Sequence, residues 1–321
     1  MPSRPGSVTI GGVAAAVRVS FVLRDEHLAE YAGRLPQLVA TVREAGLDGI
    51  VAGDHVSFQG GTGSDGLVVA AALLGAGGGL DVETGIYLLP LRHPVLVARQ
   101  LATIGMLAPG RFSFGVGIGG EDPHESEIVA VDPRSRGARA DEALAVLKQL
   151  LSGEPVTHHG RFFSFDSAVV RPAPRPPIPV LVGGRSQAAL VRAGRHAEGW
   201  IGVWVSPRRH REAVLTVAEA ALDAGRGEVE WQHRHQSWCF FGPSPEAARR
   251  QAEADMESAY GLPFEKFARY TPCGPPEQVA EALAPFLEAG CRRFNLVAEA
   301  ASTAAAITGA GEVKRHLMTA G

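Results

Sequence analysis

Eight short apolar segments alternate with amphipathic segments along most of the chain, and this alternation constrains the fold more than any other feature. The short segments predict strands at residues 17–22, 49–52, 82–89, 112–116, 178–182, 199–203, 237–241 and 293–297. Between them, apolar side chains recur at helical spacing, for example at residues 28–45, 94–107 and 136–151. Such alternation builds parallel β-α-β units, which leave a doubly wound sheet or a closed (β/α)8 TIM barrel. Eight units without a Gly-x-Gly-x-x-Gly motif after the first strand favour the barrel, an α/β fold.

The length and composition of the chain fit one barrel domain. A chain of 321 residues with 45% hydrophobic content can bury a sizeable core. We therefore expect a single domain over residues 1–321, in which residues 1–14 form a tail. The alternation is interrupted at residues 153–177, which are rich in proline, histidine and aromatic residues. This segment predicts an inserted hairpin.

Charge, hydropathy and cysteine content exclude several classes of protein. A net charge of −3 argues against a general nucleic-acid binder. The sequence contains no run of about 18 uninterrupted apolar residues, so we expect no membrane span. Cys239, Cys273 and Cys291 are far apart and form no Cys-x-x-Cys pair, which argues against a disulfide framework and against a metal centre. These features predict a cytoplasmic protein.

One connection between strand and helix has the composition of an anion site. Gly183 and Gly184 end the fifth predicted strand, and Arg185 and Ser186 open the next helix. A helix N-terminus presents free N–H groups and the positive end of the helix dipole, and Arg185 adds a forked donor. Ser186 can also cap the helix. The alternative is an ordinary connection in which the glycines only permit a tight turn.

Other polar clusters also follow predicted strands. Asp54 and His55 come after the second strand, and residues 119–122 come after the fourth. In a barrel, the loops after the carboxyl ends of the strands carry the active site. The position of all three clusters at this end favours the phosphate interpretation of residues 183–186.

Five segments make the chain resemble the bacterial luciferase-like superfamily of flavin- and deazaflavin-dependent oxidoreductases. They include GIVAGDH, PGRFSFGVGIG and PVLVGGRSQAALVRAGRHAEGW, and the five lie at residues 49–55, 85–94, 109–119, 136–160 and 179–200. The resemblance extends from about residue 17 to residue 204 and is weaker afterwards.

The resemblance implies a (β/α)8 barrel in which the insertion forms part of a lid. The cofactor ring would lie across the carboxyl ends of the strands, with its phosphate on residues 183–186. It implies a cis peptide bond between Gly85 and Ile86, behind the ring. The cofactor-binding residues that it implies are Gly85, Ile86, Ile118, Gly119, Gly120, Gly183, Gly184, Arg185 and Ser186.

The resemblance also suggests catalytic residues. In deazaflavin-dependent relatives a histidine at the position of His55 contacts the cofactor and transfers protons, and imidazole titrates near neutral pH. The alternative for His55 is a structural hydrogen bond. We expect Asp54 to orient His55 or a backbone turn. Relatives that act on sugar phosphates carry a carboxylate where this chain has Gly120, which places the role of the next residue, Glu121, in question. Glu121 and Trp204 are the predicted substrate-pocket residues.

These expectations support a leading function and two alternatives. The leading hypothesis is hydride transfer between coenzyme F420, a deazaflavin, and a small organic substrate. The first alternative is a monooxygenase that uses reduced FMN and O2 with a separate flavin reductase. The second, from a different class, is a non-catalytic flavin-binding accessory protein. A homodimer is expected by resemblance, and residues 68–74 offer a possible apolar patch.

Overall fold

The computed structural model describes residues 16–320, so the predicted tail at residues 1–14 lies outside the described residues. Eight parallel strands follow the chain: β1 Arg18–Leu23, β2 Gly49–Ala52, β3 Asp81–Thr84, β4 Phe112–Gly117, β5 Val180–Gly183, β6 Gly199–Val203, β7 Arg234–Phe241 and β8 Arg293–Glu299. Each strand pairs with its neighbours in sequence, β8 pairs with β1, and β6 pairs with β7. The sheet is therefore closed, which confirms the predicted (β/α)8 barrel.

Helices connect the strands on the outside of the barrel. They are α1 Asp25–Glu30, α2 Leu35–Glu44, α3 Gly66–Gly75, α4 Pro94–Leu107, α5 His124–Glu127, α6 Arg136–Leu150, α7 Gln187–His196, α8 Pro207–Asp223, α9 Pro245–Tyr260, α10 Pro276–Glu288 and α11 Thr303–Ala320. Ser186 is an N-cap, as predicted, and so is Ser244, because each hydroxyl accepts a hydrogen bond from the amide three residues on.

Two elements differ from the prediction. The single helix expected at residues 28–45 is two helices, because Gly33 adopts a left-handed φ of 72° and Pro36 begins a new helical turn. The strand expected at residues 82–89 ends at Thr84 and resumes only as a short strand, Tyr87–Leu88. The interruption is the Gly85–Ile86 peptide bond, which is cis, as the resemblance implied.

The insertion forms an antiparallel hairpin of strands Val156–His159 and Ser164–Ala168, as predicted. Its tip is attached to α6, because Glu142 accepts hydrogen bonds from the amides of Phe162 and Phe163 and pairs with His158 at 3.0 Å. Phe163 is buried against His93 at the start of α4. The hairpin thus packs on the side of the barrel.

The barrel interior is polar near its amino-terminal end and apolar near its carboxyl-terminal end. Near the amino-terminal end, Glu83 accepts hydrogen bonds from Arg234 and Asn295, each at 2.8 Å. Near the carboxyl-terminal end, Val51 and Trp238 belong to an apolar cluster that continues onto α9 and the turns after it. The larger apolar core lies between the strands and the surrounding helices. The carboxyl-terminal end is therefore the place where side chains from several strands meet an open pocket.

Candidate functional site

A pocket of about 370 Å³ opens at the carboxyl-terminal end of the barrel. Its lining residues are Glu121, Arg185, Trp204, Tyr260, Leu262, Lys266, Phe267 and Tyr270. Glu121 and Trp204 hold the predicted position, although their part in substrate binding stays a prediction. In the part of the chain that the structure describes, no lining residue belongs to the inserted hairpin. The expected lid role of residues 153–177 stays a prediction, and in this structure the hairpin packs against α4 and α6.

His55 lies at the rim of this end of the barrel and is held by Glu125. The Nδ1 atom of His55 is 3.1 Å from Oε2 of Glu125, and the imidazole stacks on Phe58 with ring centroids 4.3 Å apart. The other carboxylate oxygen of Glu125 accepts hydrogen bonds from the amides of Val56 and Ser57. The His55 side chain is 31% exposed, whereas that of Glu125 is 5% exposed. The pair fixes the imidazole through Nδ1 and leaves Nε2 for other partners.

Asp54 fixes backbone segments, which is the second of the two roles expected for it. Arg92 donates two hydrogen bonds of 2.8 Å to its carboxylate, and the amides of Gly66 and Leu88 donate one each. The Asp54 side chain is fully buried. Within residues 16–320 these contacts, and not His55, are its partners, so neither orientation of His55 nor catalysis by Asp54 is supported. Asp54 joins the end of β2 to the segment after β3.

Glu121 lies near the His55–Glu125 pair. The pocket walls desolvate the Glu121 carboxylate and raise its pKa, the charge of His55 opposes this shift, and the charge of Glu125 adds to it. Burial likewise raises the pKa of the Tyr260 phenol, and the charge of Glu121 contributes in the same direction. The Tyr260 phenol is therefore protonated and can donate a hydrogen bond to a ligand oxygen.

The residues predicted to border the cofactor ring lie together above β3, β4 and β5. The side chain of Ile86 occupies the space that a Cβ atom would need at Gly117 or Gly183. Gly119 and Gly120 have φ values of 65° and 124°, which side-chain-bearing residues rarely adopt. With Ile118 they form a turn whose backbone can approach a flat ring closely. The guanidinium of Arg136, from the start of α6, lies directly behind Gly120, a contact that the sequence did not reveal.

The predicted anion cradle is formed at the start of α7. The Gly184 carbonyl accepts a 2.7 Å hydrogen bond from Nε1 of the buried Trp200, and the Ser186 hydroxyl caps the helix. Arg185 is exposed, and its guanidinium carbon lies 5.5 Å from the ring centroid of Trp204. The first amides of α7 and the Arg185 guanidinium are thus available to a phosphate group.

Two buried polar atoms at this end test whether a flat heterocyclic cofactor fits. Nε1 of Trp204 and Oε1 of Gln236 have no hydrogen-bond partner among residues 16–320. Oε1 of Gln236 lies 3.4 Å from the place where a Cβ of Gly85 would be, which puts it at the predicted floor of the ring site. Buried polar groups without partners are rare and commonly mark a ligand site. A glycine-lined surface with one orphan donor and one orphan acceptor fits a flavin-type ring with polar edges.

The region around β7 was only partly anticipated. The strand predicted at residues 237–241 begins earlier, at Arg234, and the buried His235 lies in its amino-terminal part. Trp238 lies nearer the carboxyl-terminal end, where its ring centroid is 6.0 Å from that of Tyr260. The wall from Tyr260 to Tyr270 was not predicted. Its aromatic and basic side chains follow α9 without a regular spacing.

Comparison with known proteins decides the family. The sequence model of the family described as luciferase-like monooxygenase matches residues 17–293. The chain belongs to the luciferase-like monooxygenase family. This confirms the resemblance drawn from the five sequence segments.

Named relatives of this luciferase-like protein include dehydrogenases that use F420. The F420-dependent glucose-6-phosphate dehydrogenase of Kineococcus radiotolerans is 28% identical over 288 residues, which cover 80% of this chain and 85% of the relative. An uncharacterised protein of Mycobacterium tuberculosis is 36% identical over 138 residues, or 43% of this chain. The chain thus spans about half of that relative, 47% of its length.

Solved structures of the same fold include an F420-dependent dehydrogenase and a monooxygenase. An F420-dependent secondary alcohol dehydrogenase in complex with an F420-acetone adduct superimposes with a TM-score of 0.77 at 21% identity, covering 93% of this chain and 98% of that one. Monooxygenase RslO1 from Streptomyces bottropensis gives a TM-score of 0.77 at 20% identity, with 94% and 99% covered. These likenesses establish the barrel fold. Among the described residues, no helix has both the length and the hydropathy needed to cross a membrane.

Proposed function

We propose that this luciferase-like protein is an oxidoreductase that transfers hydride between coenzyme F420 and a small organic substrate. The observation that carries the proposal is the His55–Glu125 pair at the mouth of the barrel. A buried carboxylate holds Nδ1 of a partly exposed histidine, so Nε2 would be available as an acid–base group at the mouth of the barrel. Hydride transfer to or from a carbon that bears oxygen needs such a group, because the oxygen must lose or gain a proton.

Some residues of the chain would bind the cofactor, and others would transfer the proton. The first amides of α7, Arg185 and Ser186 would hold the cofactor phosphate, and the surface of Gly85, Ile86 and residues 118–120 would support the ring. The bound deazaflavin supplies two-electron hydride chemistry without activating oxygen. His55 takes the hydroxyl proton during oxidation of an alcohol and returns it during reduction of a carbonyl. Glu121, which lines the pocket, would contact the substrate there.

The relatives support the deazaflavin over FMN. The F420-dependent glucose-6-phosphate dehydrogenases of Kineococcus radiotolerans and Nakamurella multipartita match this chain over 80% and 81% of its length. A shared sugar-phosphate substrate does not follow, because this chain has Gly120 where we expect a carboxylate in those relatives.

A second candidate function is a monooxygenase that uses reduced FMN, O2 and a flavin reductase partner. Gly120 favours it, since loss of a carboxylate beside the ring removes one feature of the dehydrogenase site. The fold shared with monooxygenase RslO1 accommodates this chemistry as well. A non-catalytic accessory protein is the third candidate.

Titration of the purified protein separates these candidates. Trp204 lies beside Arg185 in the pocket, so its fluorescence reports on a ligand there. Saturable quenching by F420, oxidised or reduced, with much weaker quenching by FMN is the expected result. A preference for reduced FMN would support the monooxygenase instead, and binding of neither would support the accessory protein. Trp204→Phe should abolish most of the quenching, while Trp231→Phe, at the amino-terminal end of the barrel, should retain it.

We also propose that the protein is a cytoplasmic homodimer. The expected patch at residues 68–74 is mostly core, since Leu73 and Leu74 are buried and only Val68 is a large exposed side chain. The adjacent helix α4 exposes Leu96, Met106 and Leu107, at 65%, 56% and 68%. Light scattering should give twice the 33.7 kDa chain mass. Leu96→Glu combined with Leu107→Glu should shift the mass toward the monomer, whereas an unchanged dimer would place the interface elsewhere.

A further inference from the structure

The amino-terminal end of the barrel holds a second, polar cavity, on the opposite side of the barrel from the candidate active site. Its volume is about 210 Å³, which is enough for a compact ion and small for a cofactor. The first inward-facing residues of β1, β3 and β8 line this cavity, together with residues at the starts of β4 and β7. The charged residues that line it are Arg18, Asp81, Glu83, Arg111, Arg234 and Arg293.

The two carboxylates of this cavity are already paired. Arg18 contacts Asp81 at 2.7 Å, and Arg234 contacts Glu83 at 2.8 Å. The second oxygen of Glu83 accepts a hydrogen bond from Asn295. The cavity therefore contains four arginines and two carboxylates. Arg111 and Arg293 have no carboxylate partner in the cavity.

Arg293 is a cavity arginine without an ion pair among the described residues. Among residues 16–320 no carboxylate lies within ion-pair distance of its guanidinium, and the nearest charges include those of Arg234 and Arg18. Burial and these two guanidinium groups lower the pKa of Arg293, and the charges of Glu83 and Asp81 oppose the shift. A half-buried guanidinium without an ion pair can bind an oxyanion of matching shape through two parallel hydrogen bonds.

We propose that the amino-terminal end of the barrel binds a small oxyanion of the phosphate class, held by Arg293 with Arg111 on the other side of the cavity. The Arg234–Glu83–Asn295 network forms the floor of this site and separates it from the barrel mouth. The site is independent of the proposed redox function. Its occupant would neutralise the uncompensated charge and join β4 to β8, so its binding should stabilise the folded barrel.

Calorimetric titration of the full chain with inorganic phosphate, at fixed ionic strength, tests the proposal. Because residues 183–186 can also bind phosphate, the Arg185→Gln variant is the reference protein. In that background phosphate should still bind, and adding Arg293→Gln should weaken the binding by about tenfold or more. Arg208→Gln removes the same charge from a side chain that is 85% exposed on α8, and should leave the affinity unchanged.

Two results would overturn the proposal. One is the loss of all phosphate binding in Arg185→Gln alone, which would assign the only phosphate site to the barrel mouth. The other is unchanged affinity in the Arg293→Gln double variant. If that variant does not fold, as judged by circular dichroism, Arg111→Gln takes its place with the same expected loss, and unchanged affinity there contradicts the proposal equally. Failure of F420 to bind would leave these results unaffected.

Discussion

Two neighbouring residues at the end of β2 occupy opposite environments. Asp54 is buried, and its carboxylate accepts four hydrogen bonds, two from Arg92 and two from backbone amides. His55 is partly exposed and is fixed on one nitrogen only. A polar residue that follows a barrel strand can therefore either hold neighbouring segments of the fold together or act in the pocket. Accessibility and the number of unused hydrogen-bonding atoms distinguish the two roles, and position in the chain does not.

The largest expected effect is on turnover and concerns His55, the pocket residue of this pair. His55→Ala removes the proposed acid–base group, so turnover should fall by about 10²- to 10⁴-fold. The dissociation constant for the cofactor should change far less, because the phosphate is held elsewhere. Steady-state kinetics and fluorescence titration of the same preparation measure the two quantities. His124→Ala, on the following helix and 59% exposed, is the control. An equal loss in binding and turnover would make His55 a binding residue only.

For Asp54, the framework residue of the pair, we expect substitution to lower the stability of the fold. Asp54→Asn breaks a buried ion pair and leaves Arg92 only its longer, 3.6 Å contact with Asp65, so the free energy of unfolding should fall by about 3–5 kcal/mol. Urea unfolding followed by circular dichroism measures it. Asp166→Asn removes an exposed pair with His159 and should change stability by less than about 1 kcal/mol. A fully stable Asp54→Asn with impaired turnover would return Asp54 to a catalytic role.

Two arginines extend the comparison. Arg92 is committed to Asp54, whereas Arg185 is exposed beside Trp204. Arg185→Ala should therefore weaken cofactor binding by about 1.5–3 kcal/mol without affecting unfolding. Isothermal titration calorimetry gives the affinity, and Arg195→Ala, at the other end of α7, controls for charge. Unchanged affinity for the cofactor would move the phosphate site away from residues 183–186.

The smallest effect contrasts His55 with histidines that are fully enclosed. Burial lowers the pKa of His210 to about 4 and that of His235 to about 3, below the ordinary 6.5. The unfolded chain therefore binds more protons below pH 6.5, and the folded state loses stability as the pH falls toward 4. His235→Phe, which keeps the stacking on Phe286, should reduce the loss between pH 6.5 and 5.5 by about 1 kcal/mol. An identical pH dependence in the variant would contradict a buried neutral His235.

Local signals predicted much of the fold and part of the site. Strand β2, the caps at Ser186 and Ser244, and the glycine turn before α7 follow from residue type and short-range spacing. The partner of His55 could not be predicted, because Glu125 lies 70 residues away and reaches it only when the barrel closes. The nearby Asp122 caps a loop by accepting a hydrogen bond from the amide of Gln59. The aromatic wall at residues 260–270 likewise depends on how α9 ends.

A crystal structure of the protein with oxidised F420 tests the central claim most directly. The account predicts a deazaflavin ring against Gly85 and Ile86, a phosphate within hydrogen-bonding distance of Arg185 and the first amides of α7, and Nε2 of His55 facing the reactive edge of the ring. Cofactor density outside the carboxyl-terminal mouth, or a ring that leaves His55 out of reach of any substrate atom, would contradict it.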